Sequence, residues 1–319
     1  MIKLFLLLIL AHLIADFVTQ TNYINRNKKI FSHAFYSKGL MLHCVHHLVL
    51  YLSFILVLLD WKTIFIPMLV VIIVLHYLVD LAKITMEKRV VQRLSEIDED
   101  KKFLLHDVFE KRSSYFILDQ VIHLLCIYLT LMIFNLSPSL PSLYQMLVVD
   151  GQALDTDIKV IALSILIVLI TFGSGYFIAA LMSDFQESKK EMEIAAAVSV
   201  DNETIDQLRK NLRHANTDFV INEAYRTDNE DYTLQLQYQK YNNTSKNSRG
   251  KYIGIFERIL IAVFIVINQY SGLALLIAMK TLARFKQFED KDFAEYYLIG
   301  TLLSLIMGVG IGLVINWII

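Results

Sequence analysis

The chain is 319 residues long, 55% hydrophobic, with a formal net charge of −1 and a mean hydropathy of +0.49. Soluble domains average about 45–50% apolar, so the excess, gathered into long runs, points to a bilayer as the main solvent. The near-zero charge offers no electrostatic footprint for nucleic acid, and none is expected as a partner.

A membrane helix takes about 20 mostly apolar residues. The first such run, 2–19, has one basic residue and no small-x-small cleavage site, with polar residues inside it. It is read as a retained span rather than a signal peptide. Further runs follow at 39–59, 63–84, 114–134 and 156–182. The two cysteines, Cys44 and Cys126, fall inside spans and suggest no disulfide framework. Residues 184–252 are the one sizeable polar region. A helix is expected from Ser183 to Ala197, another starting at Asp201 to Thr204 and running past Ile205, Leu208 and Leu212, then a loop from Tyr238 to Gly250. This region reads as a cytoplasmic connector or small subdomain, without a Gly-rich phosphate loop. No nucleophile motif is found anywhere in the chain.

The run 253–283 is too long for one span and too short for two full ones. Asn268, Gln269, Ser271 and Gly272 near its middle favour a hairpin over a single tilted helix, because mid-membrane polar residues suit a break buried in protein. The last run is 293–318, where Gly308 and Gly312 have small-xxx-small spacing for close helix packing. The architecture expected is all-α: a polytopic transmembrane helical bundle of seven or eight spans with a cytoplasmic connector. Its parts are a four-span bundle (1–134), an external loop and fifth span (135–183), the connector (184–252) and C-terminal membrane helices (253–319). Lys and Arg crowd 20–38 and 85–113 but are absent from 135–155. Basic loops stay on the cytoplasmic side of the cell membrane, which places 20–38, 85–113 and 184–252 there.

Chemistry is concentrated in the first four spans. They carry His12 and Asp16; His43, His46 and His47; His76, Asp80 and Lys83; and Asp119, Gln120 and His123. Residues four apart share a helix face, so His12/Asp16, His43/His47, His76/Asp80 and Asp119/His123 are four same-face pairs on consecutive spans. Spans one and three run toward the cytoplasm, two and four away. At 1.5 Å per residue, Asp16, His43, Asp80 and Asp119 lie roughly 5–8 Å inside the cytoplasmic end, and His12, His47, His76 and His123 roughly 12–15 Å. The pattern is an upper tier of four histidines over a lower tier of three aspartates plus His43.

Ionisable groups inside a membrane cost roughly 2.5–3.5 kcal/mol each on insertion scales. A shared divalent cation relieves that cost for all of them. His12, Asp16, His43, His47, His76, Asp80, Asp119 and His123 are therefore candidate ligands for one or two ions. Imidazole favours Zn, Mn or Fe over Mg or Ca, and two ions about 3.5–4 Å apart suit hydrolysis of a phosphoester or amide. A lone membrane histidine usually just hydrogen-bonds a neighbour, and transporters line proton or ion paths with the same residue types. Asp16, Asp80 and Asp119 are catalytic candidates, since an aspartate not used as a ligand can serve as general base. Lys83 either holds a substrate phosphate, pairs with Asp80 or snorkels to the interface. Gln20, one turn beyond Asp16, is a supporting candidate. Glu257 and Arg258 are expected to pair with Arg284 or Glu295. Lys280 with Arg284 suits lipid headgroups.

The motif His12-Leu-Ile-Ala-Asp16, then His43, His76-Tyr-Leu-Val-Asp80 and Asp119-Gln120-Val-Ile-His123 resembles the bacterial membrane family called domain of unknown function 3307. Gly254 to Arg258, Lys280 to Phe285 and Glu295 to Thr301 resemble its longer members. The His-x-x-x-Asp motif on consecutive spans is also similar to a family of predicted membrane-bound metal-dependent hydrolases. That likeness implies a hydrolase acting on a lipid or lipid-linked phosphoester among the membrane lipids. It departs from that family in lacking an acidic residue followed by a His-Ser pair. A transporter or ion-conducting protein, and a non-catalytic anchor or sensor acting through 184–252, stand as the alternatives.

Overall fold

The computed structural model describes residues 1–28, 37–96, 112–144, 151–152, 154–185, 199–200, 219–226, 232–238, 249–289 and 291–319. The chain divides into two compact units, Met1–Phe185 with Lys251–Ile319, and Gln186–Gly250.

The first unit is helical. Its elements are α1 (Ile2–Phe17), α2 (Asn22–Lys28), α3 (Lys38–Leu58), α4 (Phe65–Glu96), α5 (Arg112–Ile133), α6 (Leu140–Tyr144), α7 (Thr156–Val168), a π-helical turn (Leu169–Gly173), α8 (Ser174–Asp184), α9 (Arg249–Val266), α10 (Ser271–Ala283), a 3-10 turn (Phe285–Glu289) and α11 (Lys291–Ile318). Among the described residues, five helical segments are long and apolar enough to cross a membrane: Lys38–Leu58, Phe65–Met86, Arg112–Ile133, Thr156–Asp184 and Phe293–Ile318. This makes the chain membrane-like, with fewer full-length spans than the seven or eight expected. The difference lies at two places. α1 is only 16 residues long, and it is the centre of the unit, packed against α3, α5 and α7. The run 253–283 is split by Asn268, whose positive φ of 56° ends α9. A continuous helix would hold residues 257 and 280 about 34 Å apart, yet Lys280 Nζ lies 2.6 Å from Glu257 Oε2. The chain therefore folds back on itself here, in two helices of 18 and 13 residues.

Local chemistry explains the joints. Ser37 caps α3, its hydroxyl accepting from Leu40 N at 3.4 Å. The π-helical turn leaves backbone carbonyls without their helical donors. The buried Arg258 supplies them, Nε donating to Ile170 O at 2.7 Å and a terminal nitrogen to Thr171 O at 3.0 Å. Arg258 thus braces a helix irregularity, and Glu257 pairs with Lys280, in place of the pairings with Arg284 or Glu295 expected from sequence. Lys280 and Arg284 both stack over Tyr297. Gly308 and Gly312 let α11 close onto α9: a Cβ at Gly308 would stand 2.8 Å from Ile261, and one at Gly312 3.0 Å from the Ala262 backbone.

At the end of the unit where α1 and α4 meet, Leu4, Leu8, Ile55, Phe65, Met68 and Leu131 form an apolar core. The second unit corrects the all-α expectation. It holds a three-stranded antiparallel sheet in the order β1-β3-β2, from Ser199–Val200 (β1), Phe219–Arg226 (β2) and Tyr232–Tyr238 (β3). The alternation Tyr232-Thr-Leu-Gln-Leu-Gln-Tyr238 is a strand signal of period two, which a reading centred on helices passes over. The segments expected to be helical at 186–197 and 201–212, and most of the loop expected at 238–250, lie outside the described residues.

Candidate metal centre

The four same-face pairs converge. α1, α3, α4 and α5 turn their His/Asp faces toward one another, and the rings of His12, His43, His47, His76 and His123 are all buried. His47 and His76 have ring centroids 3.9 Å apart, His76 and His123 4.4 Å, and His12 and His47 5.1 Å. That is the upper tier, formed as the helical count required. His43 lies one turn along α3, its ring centroid 4.5 Å from that of His47.

Asp16 anchors the lower tier. Its carboxylate oxygens lie 3.1 Å from His47 Nε2, 3.2 Å from His43 Nε2 and 3.4 Å from His12 Nε2. Asp80 lies 3.6 Å from His43 Nε2 and 3.8 Å from both His76 Nε2 and His123 Nε2. Among the described residues, two overlapping groups offer ligand atoms all within 4.8 Å of one another: Asp16, His43, His47 and His76; and His76, Asp80 and His123. His12 and Asp119, expected as ligands, border these groups without joining them. Asp119 turns one oxygen to Lys83 Nζ at 2.7 Å, and its other oxygen, 3.7 Å from His123 Nδ1, has no hydrogen bond. Lys83 therefore pairs with Asp119 and not with Asp80. His46 faces away, its Nδ1 bonding to Leu42 O at 2.8 Å on the exposed side.

The donor chemistry fits a cation. His123 Nδ1 lies 2.8 Å from the carbonyl of Asp119. A carbonyl only accepts, so Nδ1 carries the proton and Nε2 presents its lone pair to the centre. Among the described residues, the buried Nε2 atoms of His12, His76 and His123 have no hydrogen-bond partner. Leaving a buried polar atom unsatisfied costs about 1–3 kcal/mol, and three facing one another need a common explanation. A bound divalent ion supplies one. A cavity of about 10 Å³ touches His12, His76, His123 and Tyr51. That is room for about one water-sized body, not for a substrate.

Three partners were not foreseen in these roles. Gln120 Nε2 donates to Asp16 Oδ2 at 3.0 Å. Tyr51 hydroxyl lies 3.5 Å from His12 Nδ1; it continues the stripe His43, His47, Tyr51 at four-residue spacing, a signal present in the sequence. Lys28, from outside the spans, places Nζ 3.0 Å from Asp80 Oδ2, and helical periodicity gives no sign of it.

Residues 4–149 match the family described as "Protein of unknown function (DUF3307)". The DUF3307 segment spans α1 to α6 and so contains every residue of the cluster, which bears out the resemblance carried by the His/Asp motifs. Its description names no activity. No curated protein and no solved structure matches this chain.

Proposed function

We propose that the protein is an integral membrane, metal-dependent hydrolase of a lipid or lipid-linked phosphoester, with its centre near the cytoplasmic leaflet. In this reading α1 and the α9–α10 hairpin complete a set of seven or eight membrane segments, and the loops 20–38, 85–113 and 184–252 lie in the cytoplasm. The observation that carries the reading is the meeting of five imidazoles and Asp16 from four helices, with three buried Nε2 atoms that accept no hydrogen bond among the described residues. Asp16, His43, His47 and His76 form the principal ligand set, with Asp80 and His123 beside it. When bound, an ion such as Zn, Mn or Fe supplies Lewis acidity and a water of lowered pKa.

The chain's own residues supply the rest. Asp119 keeps one oxygen without a hydrogen bond and stands outside both ligand groups, so it is the carboxylate left to accept a proton. Lys83, whose side chain is 37% exposed, offers a cation at the edge of the site for a phosphate. Gln120 and Tyr51 orient Asp16 and His12. A polar edge at one end only favours an enzyme over a transporter. The cluster's carboxylates lead to Lys83 at its partly exposed edge, while beyond His12 and Tyr51 lies the apolar core of Leu4, Leu8, Ile55 and Met68, with no polar path onward among the described residues.

The test is turnover. Detergent-purified protein loaded with Mn or Zn is assayed for hydrolysis of lipid-linked phosphoesters, with flux in liposomes measured in parallel. Hydrolysis that a chelator abolishes and that His76→Ala and Asp80→Ala eliminate supports the reading. Flux that depends on pH without hydrolysis would replace it with transport. Indifference to both substitutions, with sensitivity to deletion of 184–252, would replace it with an anchor or sensor.

A further inference from the structure

Of the five buried imidazoles of the cluster, His12 alone stands outside both ligand groups. Its Nδ1 lies 3.5 Å from the Tyr51 hydroxyl, a long contact, and its Nε2 has no hydrogen-bond partner among the described residues. Tyr51 is fully buried as well. Both residues line the cavity of about 10 Å³, as do His76 and His123. His76 belongs to both ligand groups and His123 to one, so the occupant of the cavity lies directly against the metal centre.

The walls narrow what that occupant is. With His76 and His123 turned to an ion, the polar atoms left for it are His12 Nε2 and the Tyr51 hydroxyl. The rest of the lining is Ile72, Cys126 and Ile127, and both isoleucines belong to the apolar core. The volume is about that of one water molecule, and a buried water needs about 2–4 polar partners. Water donates and accepts, so it meets His12 in either tautomer and the Tyr51 hydroxyl in either sense. A charged ligand pressed against two isoleucines would lose more hydration than two partners restore. Methanol is larger than water by one methyl group, and the Ile72 side chain already stands in the space that group would need.

We propose that this cavity is a port for a single water molecule, held by His12 and Tyr51 on the core side of the metal centre, and that its isoleucine wall shuts out larger oxygen ligands, alcohols included. The inference rests on the metal-centre reading above. It gives water, the second reactant of a hydrolase, a place apart from the Lys83 edge, and it makes His12 a partner of that water rather than of the metal.

Full-length protein in detergent is loaded with manganese chloride and desalted. Manganese per chain is measured, and pulsed electron–nuclear double resonance is recorded in oxygen-labelled water and with carbon-labelled methanol. Thermal melts of the metal-free proteins confirm that each variant is folded. Wild type shows bound labelled oxygen. Cys126→Ile, which fills the cavity, keeps the ion and shows one water fewer. Ile72→Val, which enlarges the cavity by one methyl group, gains a methanol coupling that wild type lacks. His12→Ala keeps the ion. Equal oxygen couplings in wild type and Cys126→Ile, or equal responses to methanol in wild type and Ile72→Val, overturn the inference and leave the metal centre standing. So does loss of the ion from folded Cys126→Ile or His12→Ala, which would make the cavity the seat of the ion itself. No ion in wild type overturns both.

Discussion

Asp16→Asn is the substitution with the clearest consequence. Asparagine has nearly the same shape, so the packing of α1 against α3 is kept, but the only carboxylate of the principal ligand group is lost. An ion among ligand atoms within 4.8 Å of one another is no further than that from Asp16. Unit charges about 4 Å apart at an effective dielectric of about 20 interact by ~4 kcal/mol, and a divalent ion doubles this to ~8. If the amide oxygen and the imidazoles recover half, the loss is ~4 kcal/mol, or about a thousandfold in Kd. The variant should therefore lose its ion during purification. The assay is elemental analysis of wild type and variant prepared side by side, with a thermal melt in chelator to confirm that the metal-free proteins are equally folded. A folded Asp16→Asn protein that retains one ion per chain with unchanged affinity refutes the reasoning, because the charge assigned to the centre would then be irrelevant to it.

Other consequences follow from particular contacts. Gln120→Ala removes the amide that orients Asp16 and should weaken metal binding by about 10–100-fold, measured by chelator competition. Protons compete with a metal for its imidazole and carboxylate ligands, so metal content should fall as pH is lowered, followed as metal retained after dialysis at each pH. Arg258→Gln strips donors from the Ile170 and Thr171 carbonyls. It should lower the melting temperature, by a loss of about 1–3 kcal/mol for each group left unsatisfied, without changing metal content. Gly308→Val drives a side chain into Ile261, and overpacking of this kind costs about 1–3 kcal/mol; a melt unchanged from wild type would contradict the packing of α11 on α9.

What the sequence disclosed and what it hid divide along physical lines. The i, i+4 rule fixes which residues share a helix face, so His12/Asp16, His43/His47, His76/Asp80 and Asp119/His123 were legible as pairs. Constant rise per residue then gave their common depth, and ring separations such as 3.9 Å between His47 and His76 follow from it. Helical periodicity says nothing about a side chain arriving from another segment. Lys28 on Asp80, Lys83 on Asp119 and Arg258 on the π-helical turn all join parts distant in sequence. The bends were half visible. Asn268 and its polar neighbours announced a break between α9 and α10, whereas the π-helical turn at Leu169–Gly173 sits in a mostly apolar run with only Thr171, Gly173 and Ser174 to mark it. The sheet in the second unit was written in the alternation of Tyr232 to Tyr238 but was outweighed by the surrounding helical pattern.

The central claim is that four helices build an imidazole-rich metal centre, and X-ray absorption at the edge of the copurified metal tests it most directly. The account predicts a first shell of nitrogen and oxygen with the outer-shell scattering of several imidazoles, lost in Asp16→Asn. A sulfur shell from Cys44 or Cys126, a shell of water and carboxylate without imidazole, or protein that carries no metal after gentle purification and reconstitution would contradict it.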